Sequence, residues 1–233
     1  MALPKTVMMK ILGIGLLVAF HWILFFHSIK VSNVSVALAC FSSVALFTSF
    51  LEPLFFKRKI YWLEVVLGLI VILGLYLIFR FEIKYQWGIA LALLSALVAS
   101  LFIVLNGKVM QHNNAVTVSF YEMLAGFSGI SLYEIFMGTQ VGLSISSPDI
   151  FYLLILGIIC TGYAFMKTND LMKYLSPFYI TLTINLEPIY GIVLAYFIFG
   201  ESEKMTFGFY MGTLLIIAAV FFYPVAKLFL KNK

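Results

Sequence analysis

The sequence predicts an all-α polytopic membrane protein, a bundle of eight transmembrane helices arranged as an inverted repeat with an incomplete first half. Three observations carry that prediction. Hydrophobic residues make up 63% of the 233 positions and charged residues only 11%, against about 25% charge in a soluble domain. Mean hydropathy is +1.07. Apolar runs near the roughly 20 residues needed to cross a bilayer recur along the whole chain, with short connections between them.

Taken in order, the spans fall at about 11–29, 34–56, 62–79, 86–106, 116–137, 150–173, 177–199 and 207–227. The first follows Lys5 and Lys10 and resembles a signal peptide, but no small-residue cleavage site follows Phe26, so it reads as an uncleaved span. The second ends at Glu52, Pro53 and the basic turn Lys57-Arg58-Lys59, where Glu52 reads as a partner of that turn. The third carries Gly68 and Gly74, and the fourth carries Ser95/Ala99 and Ala96/Ser100, spaced for close helix approach. The fifth holds Glu122. The longest loop, Gly138 to Asp149, is only mildly polar. The sixth ends in the polar stretch Lys167-Thr168-Asn169-Asp170. The seventh, Ser176 to Glu201, holds Asn185, Glu187 and Pro188 near its middle, and the eighth carries Gly208 and Gly212.

An even span count puts both termini on one side. With both in the cytoplasm, Lys5, Lys10, Lys57, Arg58, Lys59, Lys108, Lys167, Lys173, Lys227, Lys231 and Lys233 lie inside. Lys30, Arg80, Lys84 and Lys204 lie outside, so 11 of the 15 basic residues are cytoplasmic, as the positive-inside rule expects. The net charge of +5 is modest, and no nucleic-acid partner is expected. Cys40 and Cys160 lie in apolar runs and read as small core hydrophobes rather than a disulfide pair. No phosphate loop, HExxH, CxxC or nucleophile triad is present, so neither an enzyme nor a metal or cofactor site is expected.

An offset of 144 residues brings span ends into register: Ser32 meets Ser176, Phe55 meets Phe199, Lys57 meets Glu201 and Gly68 meets Gly212. The basic turn at 57–59 then faces an acidic turn on the opposite side, so the repeat is inverted. Inverted repeats mark secondary transporters. Residues 1–84 form the remainder of a first repeat with three spans, and 85–233 form a second with five. Nearly all of the counterpart of 85–149 falls before Met1.

Polar residues inside spans are costly and mark candidate function. Glu187 lies about 11 residues into its helix, roughly 16 Å at 1.5 Å per residue. It reads either as a proton-coupling carboxyl or as an acid hydrogen-bonded to a neighbouring span. Asn185, two residues away, cannot share its face; Tyr190, three away, does. Lys167 and Asp170 are spaced to pair on one face, with Tyr163 beside them, and form either an interfacial helix end or a cavity wall. His21 and Trp22 sit in the first span, where a lone His is either satisfied by a neighbour or titrates in a transport cycle. Glu122 and Asn106 complete the candidate set; Glu122 lies nearer a helix end than Glu187 does.

The runs Leu171-Met172-Lys173-Tyr174-Leu175-Ser176, Asn185-Leu186-Glu187-Pro188 and Gly200-Glu201, with the Gly68/Gly74 and Gly208/Gly212 spans, resemble the EamA-like branch of the drug/metabolite transporter superfamily. The similarity covers essentially the whole chain. That family has ten spans in two inverted repeats, and this chain looks like spans three to ten. Val44 stands opposite Pro188, and Phe56-Lys57 opposite Gly200-Glu201, so the first repeat departs from the motif. The resemblance implies export or import of small organic metabolites across the cytoplasmic membrane by alternating access, export being the favoured direction, with proton coupling and a homodimer among the expectations. The alternative is a truncated or partner-dependent membrane protein without transport of its own.

Overall fold

The computed structural model describes residues 3–60, 62–138 and 146–231, with the side chains of 64, 65 and 223–231 outside that description. Residues 139–145 of the predicted polar loop also lie outside it. Among the described residues the chain is helix and short turns, with no strand.

The helices are α1 (Lys5–Val31), α2 (Val34–Phe41), α3 (Val44–Phe56), α4 (Trp62–Phe81), α5 (Gln86–Val109), α6 (Ala115–Met137), α7 (Ser147–Leu154), α8 (Ala164–Leu171), α9 (Pro177–Ile184), α10 (Glu187–Phe199) and α11 (Phe207–Lys231). They make eight spans. Among the described residues six stretches are long and apolar enough to cross a membrane: Lys5–Val31, Val34–Phe56, Ile83–Val109, Ala115–Met137, Ser147–Leu171 and Pro177–Glu203. The apolar stretches Val66–Phe81 and Phe207–Phe222 supply the other two. Their outer faces carry exposed Phe136, Phe197 and Phe207 among many large apolar side chains, a surface that lipid solvates and water does not.

Local chemistry sets the helix ends. Asn33 caps α2 by accepting from the Val36 amide at 2.9 Å. Asn114 caps α6 through the Val116 and Thr117 amides. Ser146 and Asp149 form a reciprocal capping box on α7. Gly138 closes α6 at φ 63° and Gly200 closes α10 at φ 63°, ψ −132°. The second combination belongs to glycine almost alone, which gives Gly200 a steric reason to be there.

Contacts divide the chain into two compact units, Met1–Phe20 with Leu105–Ser176, and His21–Val104 with Pro177–Lys233. In the first, α1 lies on α6: a side chain at Gly15 would collide with the Glu122 carbonyl oxygen and with Ala125 Cβ. Between α7 and α8 the span winds as a π-helix from Ile155 to Tyr163. Cys160 lies there and is exposed, contrary to the expectation of a core thiol; Cys40 is buried.

In the second unit two spans are each broken at mid-length. One breaks at Ser42 and Ser43 between α2 and α3, the other at Asn185 and Leu186 between α9 and α10. The core joins Val36, Ala39, Cys40, Ala45 and Leu46 to Phe178, Phe209 and Ile216. Helices α4 and α11 meet at paired glycines. A Cβ on Gly74 would stand 2.7 Å from the Gly212 carbonyl oxygen, and one on Gly212 2.5 Å from that of Gly74.

Candidate functional site

In the first unit, three spans converge on a buried polar cluster. Ser119 and Glu122 are three apart on α6 and share a face; Asn106 arrives from the end of α5 and Asn169 from α8. Glu122 and Asn106 are 0% exposed and Asn169 1%. Asn169 donates from Nδ2 to Ser119 Oγ and to Glu122 Oε2, each at 3.0 Å. Asn106 donates from Nδ2 to Glu122 Oε2 at 3.3 Å and to Asn169 Oδ1 at 3.1 Å. Two acceptors in the cluster, Glu122 Oε1 and Asn106 Oδ1, are buried with no hydrogen-bond partner. No described residue forms an ion pair with Glu122.

Just outside this cluster, Asp170 pairs with Lys173 at 2.7 Å rather than with Lys167. The Lys167 ammonium lies 5.6 Å from the Tyr163 ring centroid, within cation–π range. Lys167, Asp170 and Lys173 line a cavity of about 130 Å³ with Asn114, Ala115, Val116 and Met166.

In the second unit, the two broken spans hold each other at the break and at their ends. Asn185 is buried and donates from Nδ2 to the Ser42 carbonyl oxygen at 3.0 Å, one break satisfying the other. Glu52, at the far end of the first broken span, accepts from the Phe178 amide at 2.8 Å, in the first turn of the second. Arg58 Nε stands 3.5 Å from its other oxygen, so the expected link to the basic turn is present as well. Glu203, at the far end of the second broken span, accepts from the Val34 and Ser35 amides at 3.1 and 2.9 Å, in the first turn of α2. Glu82 does the same for α11, accepting from the Thr206 amide at 2.8 Å. A carboxylate at a helix N-terminus satisfies orphan amides and complements the helix dipole.

Glu187 and Tyr190 are exposed, while Asn185 is buried, so the two polar residues of this break do point apart. Glu187 opens α10 immediately before Pro188, and no described group hydrogen-bonds its carboxyl. His21 is buried; its Nδ1 lies 2.8 Å from Ser95 Oγ and 3.2 Å from the Ser95 carbonyl oxygen. Ser95 Oγ in turn donates to the His21 carbonyl oxygen at 3.2 Å. Phe41 and Phe102 pack on the ring, with centroids 5.3 and 5.6 Å away. The Nδ1 of this histidine is thus held by a neighbouring helix. Trp22 beside it is half-buried.

Thus Glu122 and Asn106 come together with each other. Lys167, Asp170 and Tyr163 lie near one another without the predicted Lys167–Asp170 pair. Asn185, Glu187 and Tyr190 flank one break. The candidate list lacked Ser119 and Asn169, although the 119/122 spacing was available in the sequence. The capping roles of Glu82 and Glu203 had no local signal, because their partners lie 124 and 168–169 positions away.

Fold and site together define a polytopic helical membrane protein with broken spans and polar groups buried inside its bundle. The model of the EamA-like transporter family matches residues 2–80 and 86–223. The chain belongs to the EamA-like transporter family, a family of membrane transporters rather than enzymes. Sixteen solved chains match its structure. One, a crystal structure of a protein, superposes with a TM-score of 0.66 at 16% identity, covering 94% of this chain and 75% of the other; at that identity the likeness is one of fold. No curated protein matches.

Proposed function

We propose that the protein is a secondary transporter that exports small organic metabolites across the cytoplasmic membrane by alternating access, coupled to protons, with both termini in the cytoplasm. The observation that carries this is the pair of spans broken at Ser42–Ser43 and Asn185–Leu186. At each interruption two residues leave the regular helix as a tight turn, the Ser43 amide donating to the Cys40 carbonyl and the Leu186 amide to the Thr183 carbonyl, and interruptions of spans near mid-membrane mark substrate sites in transporters.

The inverted repeat accounts for the arrangement. Subtracting 144 from α9 and α10 gives 33–40 and 43–55, against observed helices at Val34–Phe41 and Val44–Phe56. At the same offset the capped amides correspond, Phe178 to Val34, although the acids that cap them, Glu52 and Glu203, stand at different positions of the repeat. The family model's separate matches to 2–80 and 86–223 support a repeat boundary near residue 84. Glu187, unpaired and exposed beside one break, is the carboxylate placed to meet a substrate.

The test is a screen of labelled small metabolites, in proteoliposomes of the full chain, with and without an imposed proton gradient. Saturable, gradient-dependent movement of one class supports the proposal. No saturable movement of any class contradicts it.

A further inference from the structure

We propose that the coupling proton binds at Glu122, on Oε1, inside the cluster formed with Asn106, Asn169 and Ser119. This deepens the transport reading and rests on it for the use made of the proton; the binding itself rests on the cluster.

Hydrogen-bond accounting carries the inference. Glu122 Oε2 accepts from both amides, whereas Glu122 Oε1 and Asn106 Oδ1 are buried and unpartnered. Buried acceptors without donors are rare in folded proteins, and each asks for an explanation. One proton on Oε1 turns that oxygen into a donor and removes an unpaired charge from the interior. When the proton leaves to water, the two amide donors and their link to Ser119 remain to hold the carboxylate. The step is an acid–base exchange: the carboxylate takes a proton from hydronium and water is released, and the reverse step regenerates hydronium. Nothing else is needed for balance.

The surrounding charges do not compete for the site. On α1 the charged groups are Lys5, Lys10 and Lys30, all exposed, and α1 meets Glu122 through Gly15. On α5 Lys108 is exposed. On α8 Lys167 lies over Tyr163, and Asp170 pairs with Lys173. On α6 itself Tyr121 is adjacent and Glu134 is three turns away. A metal cation fits poorly, because both Asn Nδ2 groups point at the carboxylate, and no group of three His, Cys, Asp or Glu side chains is found among the described residues.

The other described acids differ. Glu52, Glu82 and Glu203 accept from helix N-termini. Asp149 is in a capping box, and Asp170 and Glu201 pair with lysines. Glu187 is exposed.

The experiment is infrared difference spectroscopy on the full chain in lipid nanodiscs, wild type minus Glu122→Gln, across a pH series in potassium and in sodium buffer. The expected result is a carboxylic-acid carbonyl band that converts reversibly to carboxylate bands as pH rises, unchanged by sodium. Asn169→Ala, which keeps the carboxyl and removes one donor, moves the pH of conversion. This arm stands if Glu122→Gln misfolds, with glutamate-labelled wild type as the reference. A carboxylate at every pH, an acid band that never converts, or a band abolished by sodium would each overturn the assignment. In proteoliposomes, Glu122→Gln should lose gradient-driven accumulation and keep exchange without a gradient, with Glu122→Asp restoring part of the coupling. Intact gradient-driven accumulation in Glu122→Gln also overturns it. Wild type that binds the proton yet moves no metabolite sinks the transport reading and leaves the proton site standing.

Discussion

At the scale of single residues, the two carboxylates of interest differ in what surrounds them. Glu122 is sealed among amides; Glu187 stands exposed at a helix break. They should therefore fail differently. Glu187→Gln is expected to weaken substrate handling, raising the substrate concentration needed for half-maximal transport, while proton coupling persists. Loss of coupling with unchanged substrate dependence would reverse the two roles. Within the cluster, Asn169→Ala strips a donor from both Ser119 and Glu122. Leaving buried groups unsatisfied costs about 1–3 kcal/mol, which a lowered melting temperature in nanodiscs reports. Lys173→Gln breaks only an exposed pair, and melting should not change. Sequence position singled out Glu122 and Glu187 and put Glu187 first as the deeper of the two, without a view of what surrounds either. The surroundings of Glu122 depend on Asn106 and Asn169, 16 and 47 positions away, and no local pattern encodes such a meeting.

At the scale of elements, acids from one span hold the first turn of another. Glu203→Ala removes the acceptor for two amides of α2. Loss of a cap costs about 0.5–2 kcal/mol, and faster amide exchange at Val34 and Ser35 checks it. Exchange that stays slow would mean water or another group replaces the carboxylate. Gly200→Ala forces a side chain into a backbone region it rarely adopts, at about 1–3 kcal/mol. Gly212→Leu drives a side chain into the Gly74 carbonyl, so α4 and α11 must separate and the melting temperature should fall further than for Gly13→Leu, where nothing stands within 4 Å. The span ends were legible because apolar runs stop at Asn33, Lys57, Asn114 and Gly200. The mid-span breaks were less so. Pro188 announces one, whereas the other rests on Ser42 and Ser43, which sit inside helices as readily as between them.

At the scale of the whole molecule, composition alone determined the class, since so little charge cannot clothe a soluble surface. The eight spans and the EamA-like membership follow. Substrate chemistry was not legible, because selectivity is set by side chains distant in sequence lining one path. The predicted topology places 11 of 15 basic residues in the cytoplasm. A fluorescent protein fused after Lys233 should fluoresce in cells, and a dark fusion would invert the orientation. The most direct measurement is metabolite accumulation in proteoliposomes under an imposed proton gradient, wild type beside Glu122→Gln. Gradient-driven accumulation by the wild type, reduced in the variant to gradient-independent exchange, is the predicted result. Equal accumulation by both would contradict it.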